Sequence, residues 1–159
     1  MKHLPKHLQP RRRYLGIGIE ALPDASFGRA AFQRTVWYAA QDLYGDAGSA
    51  AVDLTVLSFD LDDGVGEAVV RTHRGRADRA RAAIACVDAV EGHPVGACVR
   101  GISGTVRGCE ERYLNGRTRK PEQRDVVFEN ELFPAVAREK RVDVDVGDGF
   151  VGTTRLDFE

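Results

Sequence analysis

The pair Asp63-Gly64 separates two segments in which apolar side chains alternate with polar or small ones. Residues 51–60 and 65–73 both have the period of two that is typical of β-strands. Because Asp-Gly favours the tight turn of a β-hairpin, the two segments are predicted to pair as antiparallel strands. The helices of the chain are therefore expected to pack around an antiparallel sheet.

Further elements precede and follow this hairpin. Leu15, Ile17 and Ile19 alternate within residues 13–20, which predicts another strand. Apolar residues then recur at helical spacing in two other segments, which predicts a helix from about residue 26 to Gly45 and a second helix over 76–92. Their predicted buried stripes are Phe32, Val36, Ala39, Ala40 and Leu43 in the first, and Ala80, Ala83, Ile84, Val87 and Val90 in the second. Residues 94–106 are predicted to form a strand and residues 107–114 a short helix.

The order of these elements, β-α-β-β-α-β-α, predicts an α+β fold of the ferredoxin-like, split β-α-β type. In that arrangement two helices cover one face of a four-stranded antiparallel sheet, and we expect the other face to remain open for a partner. We divide the chain into a basic tail (1–12), a main domain (13–115) and an acidic extension (116–159). Short alternating runs in the extension predict an added hairpin that packs on the main domain.

The net charge of -1 conceals a segregation of charge along the chain. Residues 1–19 carry five basic residues and no acidic one, and residues 100–120 carry six basic residues against two acidic ones. By contrast, residues 20–99 and 121–159 each have five more acids than bases. This pattern suits a chain that binds a polyanion through one surface, although a solvated tail and a solvated helix would give it too.

The sequence gives little sign of catalysis or metal binding. No nucleophile with a base, no carboxylate pair and no metal-ligand spacing is recognisable, so we assign no catalytic residue and no metal. Cys86, Cys98 and Cys109 are widely spaced, which favours buried small residues over ligands. His73 and His93 are interpreted as polar surface residues. No apolar run is long enough for a bilayer and no secretory signal is recognisable, so a cytoplasmic protein without membrane contact is expected.

Residues 99–114 hold the most informative internal motif, VRGISGTVRGCEERYL. Ser103, Gly104 and Thr105 lie between the predicted strand and the short helix, where a hydroxyl can cap the helix and glycine permits close approach of a partner. Arg100 and Arg107 are expected to flank the start of that helix, an arrangement suited to phosphate. A plain capping motif explains Ser103 and Thr105 equally well.

Two motifs in this element order resemble a known family. RRRYLGIGIE at the first strand and RGISGTVR at the end of the fourth are similar to the ribonuclease P protein component 2 family, over about residues 6–115. The resemblance implies a subunit of the ribonucleoprotein that removes the 5′ leader from precursor tRNA. It also implies that ribonuclease P RNA, with bound Mg²⁺, performs the hydrolysis, so the protein itself binds no cofactor. The implied protein partner is component 3, in a two-plus-two heterotetramer.

Within this interpretation the basic residues before the first strand are RNA contacts. Arg11, Arg12 and Arg13 begin at a rigid strand, so binding phosphate orders them at a lower entropic cost than in a mobile tail. With the residues of the internal motif, the predicted RNA-binding set is Arg11, Arg12, Arg13, Arg100, Ser103, Gly104, Thr105 and Arg107. Two alternatives remain: an RNA-binding module of another ribonucleoprotein, and a small-ligand sensor of the same fold.

Overall fold

The computed structural model describes residue 5, residues 7–114, residue 116, residues 121–147 and residues 149–158. Its main sheet has five antiparallel strands in the order β2-β3-β1-β5-β4. The strands are β1 (Arg12–Ala21), β2 (Thr55–Asp62), β3 (Val65–His73), β4 (Ala89–Val90) and β5 (His93–Ser103). The helices are α1 (Arg29–Val52), α2 (Ala77–Ala85) and α3 (Val106–Cys109), the last continued by a π-helical turn, Glu110–Leu114. The ferredoxin-like order is confirmed, with the two-residue β4 as an addition.

The main core lies between the sheet and the helices α1 and α2. Leu15 and Ile17 of the central strand are fully buried, and Ile19 is 1% exposed. They alternate with residues on the opposite face, as the period of two predicts. Phe32 and Ile84, from α1 and α2, belong to the same buried cluster. The apolar alternation of β1 therefore places this strand at the centre of the fold.

The predicted Asp63-Gly64 turn is confirmed. Asp63 has φ 53° and Gly64 has φ 76°, so both residues adopt the left-handed conformation of the two-residue hairpin turn. A Cβ at Gly64 would also lie 2.6 Å from the carbonyl oxygen of Ala21. Glycine is thus required here both by backbone conformation and by the close approach of β1.

Helix α1 extends beyond its predicted end at Gly45. Gly45 has φ 69° and ψ 178°, so the helix bends there and then resumes as far as Val52. The strand predicted over 51–60 accordingly starts only at Thr55, because Val52 is buried as part of the helix. Leu43 was predicted to be buried but is 45% exposed, since the neighbouring Tyr44 packs against the core instead and donates a hydrogen bond to the carbonyl of Arg79.

Helix α2 is shorter than predicted, ending at Ala85 rather than near residue 92. Glu91 and Gly92 both have positive φ and form a second hairpin turn, which pairs Val90 with His93. Val90 is fully buried, as the helical stripe predicts, but it reaches the core from β4. A single buried apolar residue such as Val90 fits the period of a helix and that of a strand equally well in so short a segment.

The face of the sheet opposite α1 and α2 is not wholly open, contrary to our expectation. α3 and the π-helical turn lie on it, where Cys109 and Leu114 pack with Val69, Tyr14 and Tyr113. The sheet accommodates this helical segment through glycine: a Cβ at Gly101 would lie 2.2 Å from the ring of Tyr113. Of the three cysteines predicted to be buried, Cys109 is buried, whereas Cys86 and Cys98 are exposed because they lie after α2 and on the uncovered part of β5.

The extension forms a second antiparallel sheet, of four strands rather than the predicted hairpin. Its strands are β6 (Glu122–Phe128), β7 (Glu131–Arg138), β8 (Arg141–Asp145) and β9 (Phe150–Thr153), in sequential order. A small core of its own contains Val126, Ala135, Val142 and Val144. Arg138 donates a 2.7 Å hydrogen bond to the carbonyl of Ala21, and Arg141 pairs with Glu20 at 2.6 Å. The extension thus contacts the main domain at the end of β1. No helix in the described residues is long and apolar enough to cross a membrane.

Candidate nucleic-acid interface

The two basic segments of the sequence meet at one end of the main sheet. Tyr14 pairs with Ser103 in the register between β1 and β5, so the residues just before Tyr14 lie beside those just after Ser103. A guanidinium nitrogen of Arg13 is 3.4 Å from the position that a Cβ of Gly104 would occupy. Strand pairing therefore builds a single surface from two segments that are distant in the sequence. We call this surface, formed by Arg11, Arg13, Gly104 and Arg107, the basic end.

Arg12 differs from its two neighbours because its side chain is held by the protein. Its guanidinium pairs with the carboxylate of Asp53 and lies 3.4 Å from Nε2 of His73. Asp53 follows α1 in the left-handed conformation, with φ 51°. The hydrogen bond from Arg12 lowers the pKa of Asp53, and partial burial opposes this effect. Arg12 thus fastens the start of β1 to the end of α1.

Arg11 and Arg13 have no ion pair with any acidic residue in the described part of the chain. Arg11 is exposed, and its carbonyl accepts a 3.0 Å hydrogen bond from the backbone N–H of Arg74. Among the residues that the structure describes, the guanidinium of Arg13 makes one hydrogen bond, at 3.5 Å to the carbonyl of Arg12. Their backbone is therefore held by the sheet, while their charges remain available to an anion.

Arg100 does not lie at the start of α3, contrary to our expectation. Its guanidinium pairs with Glu67 at 2.5 Å and donates to the carbonyl of Tyr113 at 3.3 Å. Tyr113 lies in the π-helical turn, at the far end of the helical segment that begins with α3. A Cβ at Gly18 would approach Nε of Arg100 to 2.6 Å, so this side chain lies flat across β1. Arg100 holds the helical segment against the sheet.

The capping function expected of the Ser103–Thr105 turn is confirmed. Oγ1 of Thr105 accepts a 3.1 Å hydrogen bond from the N–H of Gly108, and Oγ of Ser103 accepts one of 3.3 Å from the N–H of Thr105. Ser103 is 9% exposed. Arg107 projects outward, with 88% of its side chain exposed, and pairs with Glu111 one turn later at 2.6 Å. Ser103 is thus held within the turn, whereas Arg107 lies on the surface.

Arg74 and Arg76 make a third contribution to this end of the sheet, which no motif of the sequence predicted. Arg12 pairs with His73 in the register between β1 and β3, which brings the exposed 3₁₀ turn Arg74–Arg76 beside Arg11. The sequence did hold a signal, because Arg71, Arg74 and Arg76 form a local basic cluster within an acidic stretch. Across the described ranges, no group of three His, Cys, Asp or Glu side chains is arranged to hold a metal ion.

Comparisons with known proteins show the family of the chain. The family model described as the Rpp14/Pop5 family matches residues 13–114. A protein of Haloarcula marismortui named ribonuclease P protein component 2 is 60% identical over 160 residues, which cover 99% of each chain. One of the same name from Halorubrum lacusprofundi is 57% identical and covers 100% of both. One from Methanosarcina acetivorans is 30% identical over 83% of this chain and 89% of its own.

A chain in a structure of yeast ribonuclease MRP superposes with a TM-score of 0.46 and 16% sequence identity. The match covers 63% of this chain and 79% of the yeast chain, and it is too distant to bear on function.

The matched family model extends from the second residue of β1 to the last residue of the π-helical turn. It therefore includes the whole main sheet and both helices of the main core, which is well over half of the chain. The chain belongs to the Rpp14/Pop5 family.

Proposed function

We propose that this chain is a protein subunit of ribonuclease P that supports the catalytic RNA in removing 5′ leaders from precursor tRNA. Two observations support the proposal. The chain belongs to the Rpp14/Pop5 family, and full-length relatives carry the name ribonuclease P protein component 2. The basic end, where Arg13 lies beside Gly104, is the feature of the structure on which the proposed RNA contact rests.

The basic end suits the phosphate backbone of a folded RNA. Arg13 is paired with β3, and the carbonyl of Arg11 accepts a hydrogen bond from the N–H of Arg74, so less backbone freedom is lost when their side chains bind phosphate. Each guanidinium that neutralises a phosphate releases a counterion, which favours association and makes it depend on salt. Gly104 lets a phosphate approach the backbone beside these side chains. Arg74, whose N–H donates to the carbonyl of Arg11, extends the same surface.

In this proposal the RNA performs the hydrolysis with its own Mg²⁺, and the protein contributes binding and orientation. The proposed protein partner is component 3, in a two-plus-two heterotetramer, and precursor tRNA joins in the holoenzyme. Arg12 and Arg100 take structural parts, because their guanidinium groups pair with Asp53 and Glu67. Arg11, Arg13 and Arg107 are the side chains assigned to the RNA.

Reconstitution with the cognate RNA and component 3 tests this function. We expect wild-type chain to raise the rate of 5′-leader removal at limiting Mg²⁺, and the Arg11→Ala/Arg13→Ala variant to lose most of that stimulation. Arg34→Ala is the matched control, since Arg34 is a half-exposed arginine on α1. Equal binding of unrelated RNA without any stimulation would instead indicate an RNA-binding module of another ribonucleoprotein. Leader removal by the RNA-free protein would contradict a supporting role.

A further inference from the structure

The extension offers a second surface, at the end of β1 opposite the basic end. Residues 121–158 lie outside the span matched by the family model, so the ribonuclease P proposal gives them no task. They contact Glu20 and Ala21, whereas the basic end begins at the other end of the same strand. A strand of this length separates the two surfaces by roughly 30 Å.

A cleft of about 400 Å³ separates the extension from the loop that follows β1. Its apolar lining comes from Pro134 and Val136 of β7, Phe150 of β9 and Leu22 of the loop. The carboxylates of Asp24, Asp125 and Asp145 also line it, against a single arginine, Arg124. The cleft is thus lined by apolar and polar side chains in similar measure, and we call its three carboxylates the acidic rim.

The cleft continues along the hairpin formed by β6 and β7. Val127 pairs with Leu132, and Asp125 pairs with Pro134. The two pairs are two residues apart along each strand, so they lie on the same face of the sheet. Val127 is 62% exposed and Leu132 is 67% exposed. The connecting turn, Glu129 and Asn130, has positive φ at both residues, as in a tight two-residue hairpin turn. The apolar pair is therefore presented by an ordered hairpin.

The charges around this surface are mostly negative, which favours a cationic partner. Glu129 and Glu131, both exposed, add to the three carboxylates of the cleft. Two arginines of the extension, Arg138 and Arg141, are occupied by Glu20 and Asp143. Such a surface repels phosphate and attracts cationic side chains. Exposed apolar side chains beside these charges mark a protein-binding surface.

We propose that this surface, formed by the cleft and by Val127 and Leu132, binds a basic segment of a partner protein. The segment is rich in arginine or lysine and carries a large apolar side chain, which packs on Leu132 or enters the cleft. The acidic rim pairs with its cations. The chain would then bind RNA at one end of β1 and a basic protein segment at the other.

A peptide probe tests this inference on the full-length chain. The probe is an extended peptide of about twelve residues that alternates arginine and leucine, titrated by calorimetry and by amide shifts in NMR spectra. We expect Leu132→Ser to weaken binding about tenfold, because an apolar contact is lost. Asp125→Asn is expected to weaken it about twofold. Leu43→Ser on α1 and Asp60→Asn on β2 are the matched controls, and neither should alter binding.

Several results would overturn the proposal. Equal binding of an arginine-serine peptide would show that only charge is recognised. Amide shifts at Val127 and Leu132 on adding a short RNA in the absence of the peptide would assign the surface to nucleic acid. Equal losses in the control variants would show that the peptide binds indiscriminately. Concentration-dependent dimers that disappear in Leu132→Ser would assign the surface to a second copy of the chain. Thermal unfolding of each variant verifies that it is folded.

Discussion

Tyr14 lies opposite Ser103 in the pairing of the first strand with the last strand of the main sheet. This one register places the arginines that precede β1 beside the turn that follows β5, and Arg13 consequently reaches Gly104. A shift by one residue would move every side chain of β1 to the opposite face, which the burial of Leu15 and Ile17 prevents. The hydrophobic core therefore determines where the basic end is assembled.

Replacing Arg11 and Arg13 together by alanine should weaken RNA association without unfolding the chain. If each contacts one phosphate, the slope of log K against log salt should fall by about two units. The salt dependence of binding to the cognate RNA measures this. Arg34→Ala should leave the slope unchanged, and an unchanged slope in the double variant would show that the two arginines are only solvated.

Replacing Arg12 by alanine should lower the stability of the fold and leave RNA binding unchanged. Because its guanidinium binds Asp53, its loss should cost about 1 kcal/mol in the free energy of unfolding, the scale of a partly exposed charged hydrogen bond. The salt slope of RNA binding should stay as in the wild type. Urea unfolding and RNA titration on the same sample distinguish the two roles. A stable variant with a reduced slope would make Arg12 an RNA contact.

The contribution of Asp53 to stability should depend on pH. Because Arg12 lowers the pKa of Asp53 below the ordinary value of 3.8, the folded state favours the ionised carboxylate. The added stability is fully present above that ordinary value and disappears as the pH falls through the lower folded-state pKa. The difference in unfolding free energy between wild type and Asp53→Asn should therefore shrink below about pH 4. A difference that persists into stronger acid would contradict the pairing.

Alanine variants of Thr105 and Arg107 should differ in their effects, the first lowering stability and the second lowering RNA affinity. Thr105→Ala removes the hydroxyl that caps α3 and should cost about 0.5 to 2 kcal/mol, with RNA affinity per folded molecule unchanged. Arg107→Ala should weaken RNA association with little change in melting temperature, since its side chain is exposed. Glu111→Gln releases Arg107 from its ion pair and should strengthen association. A lower melting temperature with unchanged affinity in Arg107→Ala would make Arg107 structural.

Gly101→Ala should displace the helical segment from the sheet. The new Cβ would lie 2.2 Å from the ring of Tyr113, and overpacking of this kind costs about 1 to 3 kcal/mol. Gly96→Ala, on the same strand, is the control, because its Cβ would meet nothing closer than 4.0 Å. Comparing the two by thermal unfolding checks the packing; equal stabilities would contradict it.

Local sequence patterns predicted most of the main sheet, since alternation and the Asp63-Gly64 turn are short-range signals. These patterns predicted the wrong boundary where a residue is compatible with two structures. Gly45 can end a helix or bend it, and here it bends α1. The patterns also missed Gln33, which is 7% exposed and exchanges hydrogen bonds with the carbonyl of Leu54 and the N–H of Val56. Its partners lie at the start of β2, which begins at Thr55 and not at the predicted residue 51.

Sequence patterns identified the arginines of the candidate site but not the partners of each one, because those partners depend on the fold. Arginines can be read from a sequence, but whether each meets a carboxylate depends on the fold. Asp53 and Glu67 are distant in sequence from Arg12 and Arg100, so no sequence pattern distinguished these two arginines from Arg13 and Arg107. Conversely, Arg74 joined the basic end only through the pairing of β1 with β3.

The pairing of β1 with β5 also has a consequence during synthesis of the chain. The first strand leaves the ribosome early, but its neighbour β5 is translated only after α1, the β2–β3 hairpin and α2. Contacts between such distant segments form late, because closing the intervening loop costs entropy. A nascent chain stalled before Ser103 therefore displays Arg11 and Arg13 without Gly104 beside them. Under the proposed function, the surface assigned to RNA is therefore complete only once the main domain has folded.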